Sequence, residues 1–207
     1  MIHSLENGAR LPFATPKTPT NATPEFTPDG SHVLFASSLT GLQLHIANID
    51  GTGVRRLSNV RAIEVSPRVN RKNAMDVLFI SDASGAQQLW RMNIDGADRE
   101  MLTNGTGEVA NPSWNPNGQL VAFAWTRGYE VGGFNIFVMD IARREPVQLT
   151  RNSGVNENPS WAPDGLHIVF SSKRGRSTQI WTMLSDGTQL RQLTTEGNNV
   201  QPVWSPQ

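Results

Sequence analysis

The chain contains four histidines, the side chains best suited to proton transfer or metal ligation, and their spacing keeps them apart. His32 and His167 each stand two residues after a glycine, Gly30 and Gly165, at the head of an apolar run, so they fill one slot in two repeats and do not converge. His3 and His45 occupy a different slot, on the third strands of two different blades, without the carboxylate spacing that would complete a ligand set. No metal is expected. The Asp-Gly pairs at Asp50, Asp95 and Asp186 lack the alternating acids and closing glutamate of a calcium loop and read as hairpin turns. There is no cysteine, no Gly-x-Ser-x-Gly elbow, and no histidine near a serine and an aspartate in any repeat. No catalytic residue and no cofactor is therefore expected.

Recognition chemistry remains. Amides and charged groups recur just ahead of a set of prolines: Asn21, Arg61, Glu108, Asn111, Asn156, Glu157, Asn158, Asn199 and Gln201. They offer hydrogen-bond donors and acceptors to a protein partner, although the same side chains also cap turns. A weaker candidate is Trp125 with Arg127 and Tyr129, since aromatic and arginine anchors dominate interface energetics. Trp114, Trp161 and Trp204 recur at one repeat position and read as packing residues instead.

The elements that must position these groups follow from a repeated phrase. PEFTPDG begins at Pro24, PSWNPNG at Pro112, PSWAPDG at Pro159 and PVWSPQ at Pro202, with a worn copy, IEVSP, at Ile63 to Pro67. In this alignment Phe26, Val65, Trp114, Trp161 and Trp204 are equivalent, and the second prolines lie 39, 49, 47 and 43 residues apart. Each unit reads as a first strand ending in a Pro-Asp-Gly type turn, then a β-branched and aromatic second strand (His32 to Ala36, Asp76 to Ile80, Leu120 to Ala124, His167 to Ser171). An alternating third strand follows (Leu42 to Ala47, Gln88 to Met92, Phe134 to Met139, Gln179 to Met183). A short fourth strand closes on Leu with Ser or Thr, at Ser58, Thr103, Thr150 and Thr194. Four antiparallel strands per unit of this period is the signature of a β-propeller blade. The expected fold is all-β, one propeller domain over 1–207. Its parts are a partial blade (1–23), four blades near 24–59, 60–104, 105–152 and 153–196, and a terminal first strand (197–207). Ser4 to Phe13 aligns with the end of a third strand and its hairpin, so partial-blade strands are expected at both ends, with the N-terminus truncated. The ring then stays open or closes imperfectly.

Composition narrows the partners. Eighteen basic residues cancel eighteen acidic ones, which leaves no electrostatic footprint for nucleic acid or an anionic membrane surface. No run reaches the length of a membrane span, and Met1 to Arg10 has no signal-peptide pattern. Exposed edge strands would be open to pairing between chains. In an up-and-down blade the tight turns share one face. The opposite face carries the longer second-to-third loops and the crossings between blades, and this is where recognition is expected.

The repeats resemble the C-terminal propeller of the TolB family of the Tol-Pal system. The likeness rests on WAPDGLHIVFSSKRG with QIWTMLSDGTQLRQLT (Trp161 to Gly175, Gln179 to Thr194), on NPSWNPNGQLVAF with FNIFVMD (Asn111 to Phe123, Phe134 to Asp140), and on the ending QPVWSPQ. It covers essentially the whole chain. It implies a fragment of a six-bladed ring, periplasmic residence, and binding through the channel mouth to the peptidoglycan-associated lipoprotein Pal and other Tol components in support of envelope integrity. The alternative is the propeller part of a serine peptidase or an oligogalacturonate lyase, which carry the same blade motif.

Overall fold

A computed structural model of the chain describes residues 2–3, 10–11, 20–38, 41–128, 132–151 and 153–204. The fold is all-β, as the repeats predict. β1 (Ile2–His3) pairs with β2 (Arg10–Leu11) in a small antiparallel ladder, and the remainder of the N-terminal hairpin lies outside the described residues. Four antiparallel four-stranded sheets follow. Blade 1 is β3 (Asn21–Phe26), β4 (His32–Ser37), β5 (Gln43–Asn48) and β6 (Arg55–Arg56). Blade 2 is β7 (Glu64–Val69), β8 (Asp76–Ser81), β9 (Gln88–Asn93) and β10 (Glu100–Met101). Blade 3 is β11 (Val109–Trp114), β12 (Leu120–Trp125), β13 (Asn135–Asp140) and β14 (Val147–Gln148). Blade 4 is β15 (Val155–Trp161), β16 (His167–Lys173), β17 (Thr178–Leu184) and β18 (Arg191–Gln192). Strands pair in sequence order within every sheet.

The second strands are buried nearly end to end, and those of blades 2 and 3 are covered on both sides by neighbouring blades. Successive side chains of a strand point to opposite faces. In β8, Val77 and Phe79 therefore pack toward blade 1, while Leu78 and Ile80 pack toward blade 3. β12 repeats the division with a size difference. Phe123 and Trp125 face blade 2, whereas Ala122 and Ala124 face blade 4 and leave room for its Trp161 and Phe170.

Turn chemistry fixes the connections. Gly30, Gly118 and Gly165 hold φ near 70° in the turns after the first strands. Asp29 accepts from the Thr27 and Ser31 hydroxyls and from the Ser31 N–H, and these bonds hold its carboxyl down to about 2. Asn70 and Asn115, in the slot after the first strand, each donate from Nδ2 to the turn glycine of the following blade, Gly118 O and Gly165 O, at 3.0 Å. The Asp-Gly hairpins touch the preceding blade: a Cβ added at Gly96, φ +95°, would lie 2.0 Å from Leu57 O.

A second clasp joins the fourth strand to the third. Thr103 Oγ1 donates to Gln88 Oε1 and accepts from Leu89 N–H, and Thr194 does the same with Gln179 and Ile180. Thr150 repeats it with Asn135 and Ile136. In blades 2, 3 and 4 the closing threonine is thus an anchor for the start of its own third strand, whereas Ser58 of blade 1 donates to Glu64 of blade 2.

The structure corrects the alignment of blade 2. β7 runs Glu64–Val69, with a ladder irregularity between Val65 and Arg68. The same irregularity sits at Pro24, Pro112 and Pro159 in the other blades. Pro67 is therefore the first proline of the motif, and Val69, not Val65, fills the aromatic slot. With Pro24, Pro67, Pro112, Pro159 and Pro202 equivalent, the repeats are 43, 45, 47 and 43 residues apart, more even than the sequence reading gave. The C-terminal segment differs too: Gln201 to Trp204 forms no strand, because no described strand lies beside it to pair with. Residues 205–207 are outside the described residues, and no ladder joins this segment to β1 or β2.

Blade 1 contacts blade 2, blade 2 contacts blade 3, and blade 3 contacts blade 4, while no described strand of blade 4 reaches blade 1. Phe26 is consequently 50% exposed, where Trp161 in the same slot is 5%. At the other end Leu193 is 47% exposed, against 5% for Leu57 and Leu102.

Candidate functional site

The inner strand of each blade is bent by its proline. Proline has no N–H to give the ladder, so a proline inside a paired strand is accommodated at a bulge. Here the residue ahead of it turns left-handed in all five copies: φ is 49° at Thr23, 55° at Ser66, 52° at Asn111, 53° at Asn158 and 54° at Gln201. This region is costly for residues with a Cβ and least so for Asn. Such strain persists only where the surroundings over-determine it, and it gathers at functional sites.

The bulges lie together. Thr23, Ser66, Asn111 and Asn158, and the equivalent left-handed Gln201, line a cleft of about 480 Å³ at the channel together with Pro24, Pro112, Pro159, Pro202, Ser113 and Ser160. Neighbouring bulges also touch, since Ser66 N–H donates to Thr23 Oγ1 at 3.1 Å. Toward the tight-turn face a second cleft of about 520 Å³ continues, lined by Glu25, Arg68, Arg71, Trp114 and Trp161 among others. Arg68 stands 3.8 Å from Glu25, and Trp114 Nε1 donates to Arg68 O at 3.0 Å. Burial pushes the Glu25 carboxyl up, with Arg68 and Arg71 pulling against it.

Of the residues expected from sequence, Asn111, Asn158 and Gln201 belong to this lining. Asn158 Nδ2 also donates to Ser171 Oγ at 3.1 Å. Asn21 is the exposed first residue of β3, and Glu157 is a half-buried residue of β15 whose carboxyl is pushed up by burial. Asn156 is 0% exposed. Its Nδ2 donates to Gly154 O and Ser153 Oγ at 3.1 Å, and its Oδ1 accepts from Ser172 Oγ at 2.8 Å, so it ties the crossing to its own blade. Asn199 does similar work, donating to Gln179 Oε1 and Glu196 O. Arg61 and Glu108 are exposed in the crossings, away from the bulges. For Arg61 the shifted register of blade 2 is the reason.

Trp125 is not a loop residue. It ends β12, is 4% exposed and packs with Phe123 and Phe137, because the strand runs one residue past the sequence boundary into the blade 2–3 core. Arg127 lies outside it with its guanidinium 5.4 Å from the Trp125 ring. Tyr129 is outside the described residues. Sequence reasoning missed Thr23, Ser66 and Arg68 as channel residues, and the even spacing of the first prolines was the signal that would have found them.

The histidines stay apart. His32 bonds Ser31 Oγ, His167 bonds Asp164 Oδ2 at 2.7 Å, and His45 is buried against Phe35 with Nδ1 3.0 Å from Gln43 O. Among the described residues no three His, Cys, Asp or Glu side chains gather as metal ligands.

Known proteins place this architecture. A TolB homolog of Chlorobium luteolum is 31% identical over 136 residues, 65% of this chain and 30% of that protein. The crystal structure of TolB from Acinetobacter baumannii superposes with a TM-score of 0.80 at 22% identity, over 99% of this chain and 51% of that one. A putative TolB from Agrobacterium tumefaciens gives 0.75 at 22%, over 86% and 62%. The chain therefore spans less than two thirds of each relative. An oligogalacturonate lyase in complex with manganese shares the fold at 0.69 and 14% identity. The model of the TolB beta propeller domain matches residues 1–124 and again 94–207, so that with its four bulged blades the chain belongs to the TolB beta propeller family.

Proposed function

We propose that this propeller is a non-enzymatic, periplasmic protein-binding module that engages a Pal-like lipoprotein at its channel and loop face, in support of envelope integrity with other Tol components. The observation that carries the reading is the row of left-handed bulges. Five costly backbone positions present Thr, Ser, Asn, Asn and Gln at one cleft, a polar surface that varies from blade to blade on a repeated scaffold. Rigid inner strands lower the ordering cost of binding there.

The test is calorimetric titration with the soluble domain of the cognate lipoprotein. Replacing Asn111 and Asn158 by glycine keeps the left-handed backbone and deletes the side chains. Binding is expected to fall at least tenfold with little change in melting temperature. Unchanged affinity in a folded double variant would sink the reading. The lyase or peptidase alternative gains no support from where His32, His45 and His167 stand, and a likeness at 14% identity speaks to fold alone. Stoichiometric manganese binding to purified protein would revive it.

A further inference from the structure

We propose that the cleft on the loop face of blade 4, between the crossing into β15 and the loop from β16 to β17, binds a carboxylate of an acidic peptide through Arg174 and Lys173. The cleft has a volume of about 600 Å³ and is lined by Ser153, Gly154, Val155, Lys173, Arg174 and Gly175.

Arg174 is held in place before any ligand arrives. Its guanidinium lies over Trp181 of β17, 3.8 Å from the ring centre. Its Nε donates to Ser172 Oγ at 3.0 Å, and Ser172 in turn donates to the fully buried Asn156. A chain of three side chains thus fixes the guanidinium to the backbone of the crossing at Gly154. The two terminal nitrogens make no hydrogen bond or ion pair with any described residue, and no described carboxylate is within ion-pair distance of Arg174 or Lys173. A planar guanidinium fork without a partner, already immobilised and stacked, is suited to bidentate bonding of a carboxylate. Partial desolvation also holds its pKa below the ordinary arginine value.

Blade 4 alone has this arrangement among the described residues. Arg127 fills the same slot in blade 3 and also lies over aromatic rings, yet Trp125 stands where blade 4 has Ser172, so no hydroxyl tethers it, and Thr126 replaces Lys173. Blade 2 has Ala83 in the slot.

The inference refines the loop-face reading of the proposed function and rests on it only for the kind of partner. It is tested without the lipoprotein, so that failure of either reading is separately visible. The probe is a tetraglutamate peptide, acetylated and amidated, titrated by calorimetry and by tryptophan emission. Tetraglutamine serves as neutral control, tetraglycine with a free C-terminus tests terminal carboxylates, and inorganic phosphate tests a phosphate ligand. Tetraglutamate is expected to bind and to perturb emission, and Arg174→Gln to weaken it about tenfold, with Arg174→Lys recovering part of the loss. Arg191→Gln, on the exposed outer strand β18, is expected to leave binding unchanged. If Arg174→Gln fails to fold, Lys173→Gln carries the same expectation of weakened binding. Tetraglutamate binding no tighter than tetraglutamine, or equal losses at Arg174 and Arg191, would overturn the site. Tighter binding of phosphate or of the free C-terminus than of tetraglutamate would overturn its assignment to acidic side chains.

Discussion

Single side chains in this propeller divide between holding blades together and facing the channel, and burial tells them apart. Trp161 is buried in the blade 3–4 core with its Nε1 unbonded among the described residues. Trp161→Ala is expected to cost about 3 to 5 kcal/mol by chemical denaturation, because a cavity remains. Trp161→Phe is expected to cost distinctly less, since no indole bond is lost. Asn156→Ala is expected to cost about 2 kcal/mol, because its removal leaves several buried polar groups without a partner. A loss of lipoprotein binding in that variant should therefore come with a lower melting temperature, which separates Asn156 from Asn111 and Asn158. Glu157 has a carboxyl raised by burial, so the folded state holds its proton more tightly than the unfolded state does. Its contribution to stability is therefore fully present in acid and is lost as pH rises from the ordinary glutamate value through the raised one. Melting temperatures of wild type and Glu157→Gln should accordingly diverge from pH 4 to pH 7, with the variant the more stable at pH 7.

At the scale of the element, the Asp-Gly hairpins are seams as well as turns. Gly96→Ala is expected to cost about 2 kcal/mol or more, because a Cβ meets Leu57 O and φ is positive. Gly30→Ala, with nothing within 4 Å of its Cβ, should show only the backbone share of that cost, about 1 kcal/mol. Equal losses at the two glycines would show that the seam is unimportant. Strands and turns were legible in the sequence because turn chemistry and period-2 alternation act locally. The bulge at Ser66 was not, since Val69 and Arg71 stand in blade 2 where other repeats have an aromatic residue and a second proline, and Pro67 then mimics the wrong proline. The channel lining depends on backbone dihedrals, which composition does not report. Trp125 was misread for a related reason. Its loop-like neighbours, Thr126 to Gly128, hid a strand that continues one residue further.

For the whole molecule, stability is distributed blade by blade through nearest-neighbour contacts. The inner blades are covered on both faces, while Phe26 and Leu193 mark faces that no described sheet covers. Hydrogen exchange should therefore be slowest in β8 and β12 and fastest in β18, at the exposed face of blade 4. Uniform protection across the four sheets would contradict this. The division of β8 and β12 between two neighbours has one more consequence. The seams are built from the same slots, with side-chain size adjusted locally, as at Ala122 and Ala124. Excising one repeat from Pro67 to just before Pro112 would bring blade 1 against blade 3 with matching Leu and aromatic positions, so the number of blades is a quantity that recombination can change without inventing a new interface.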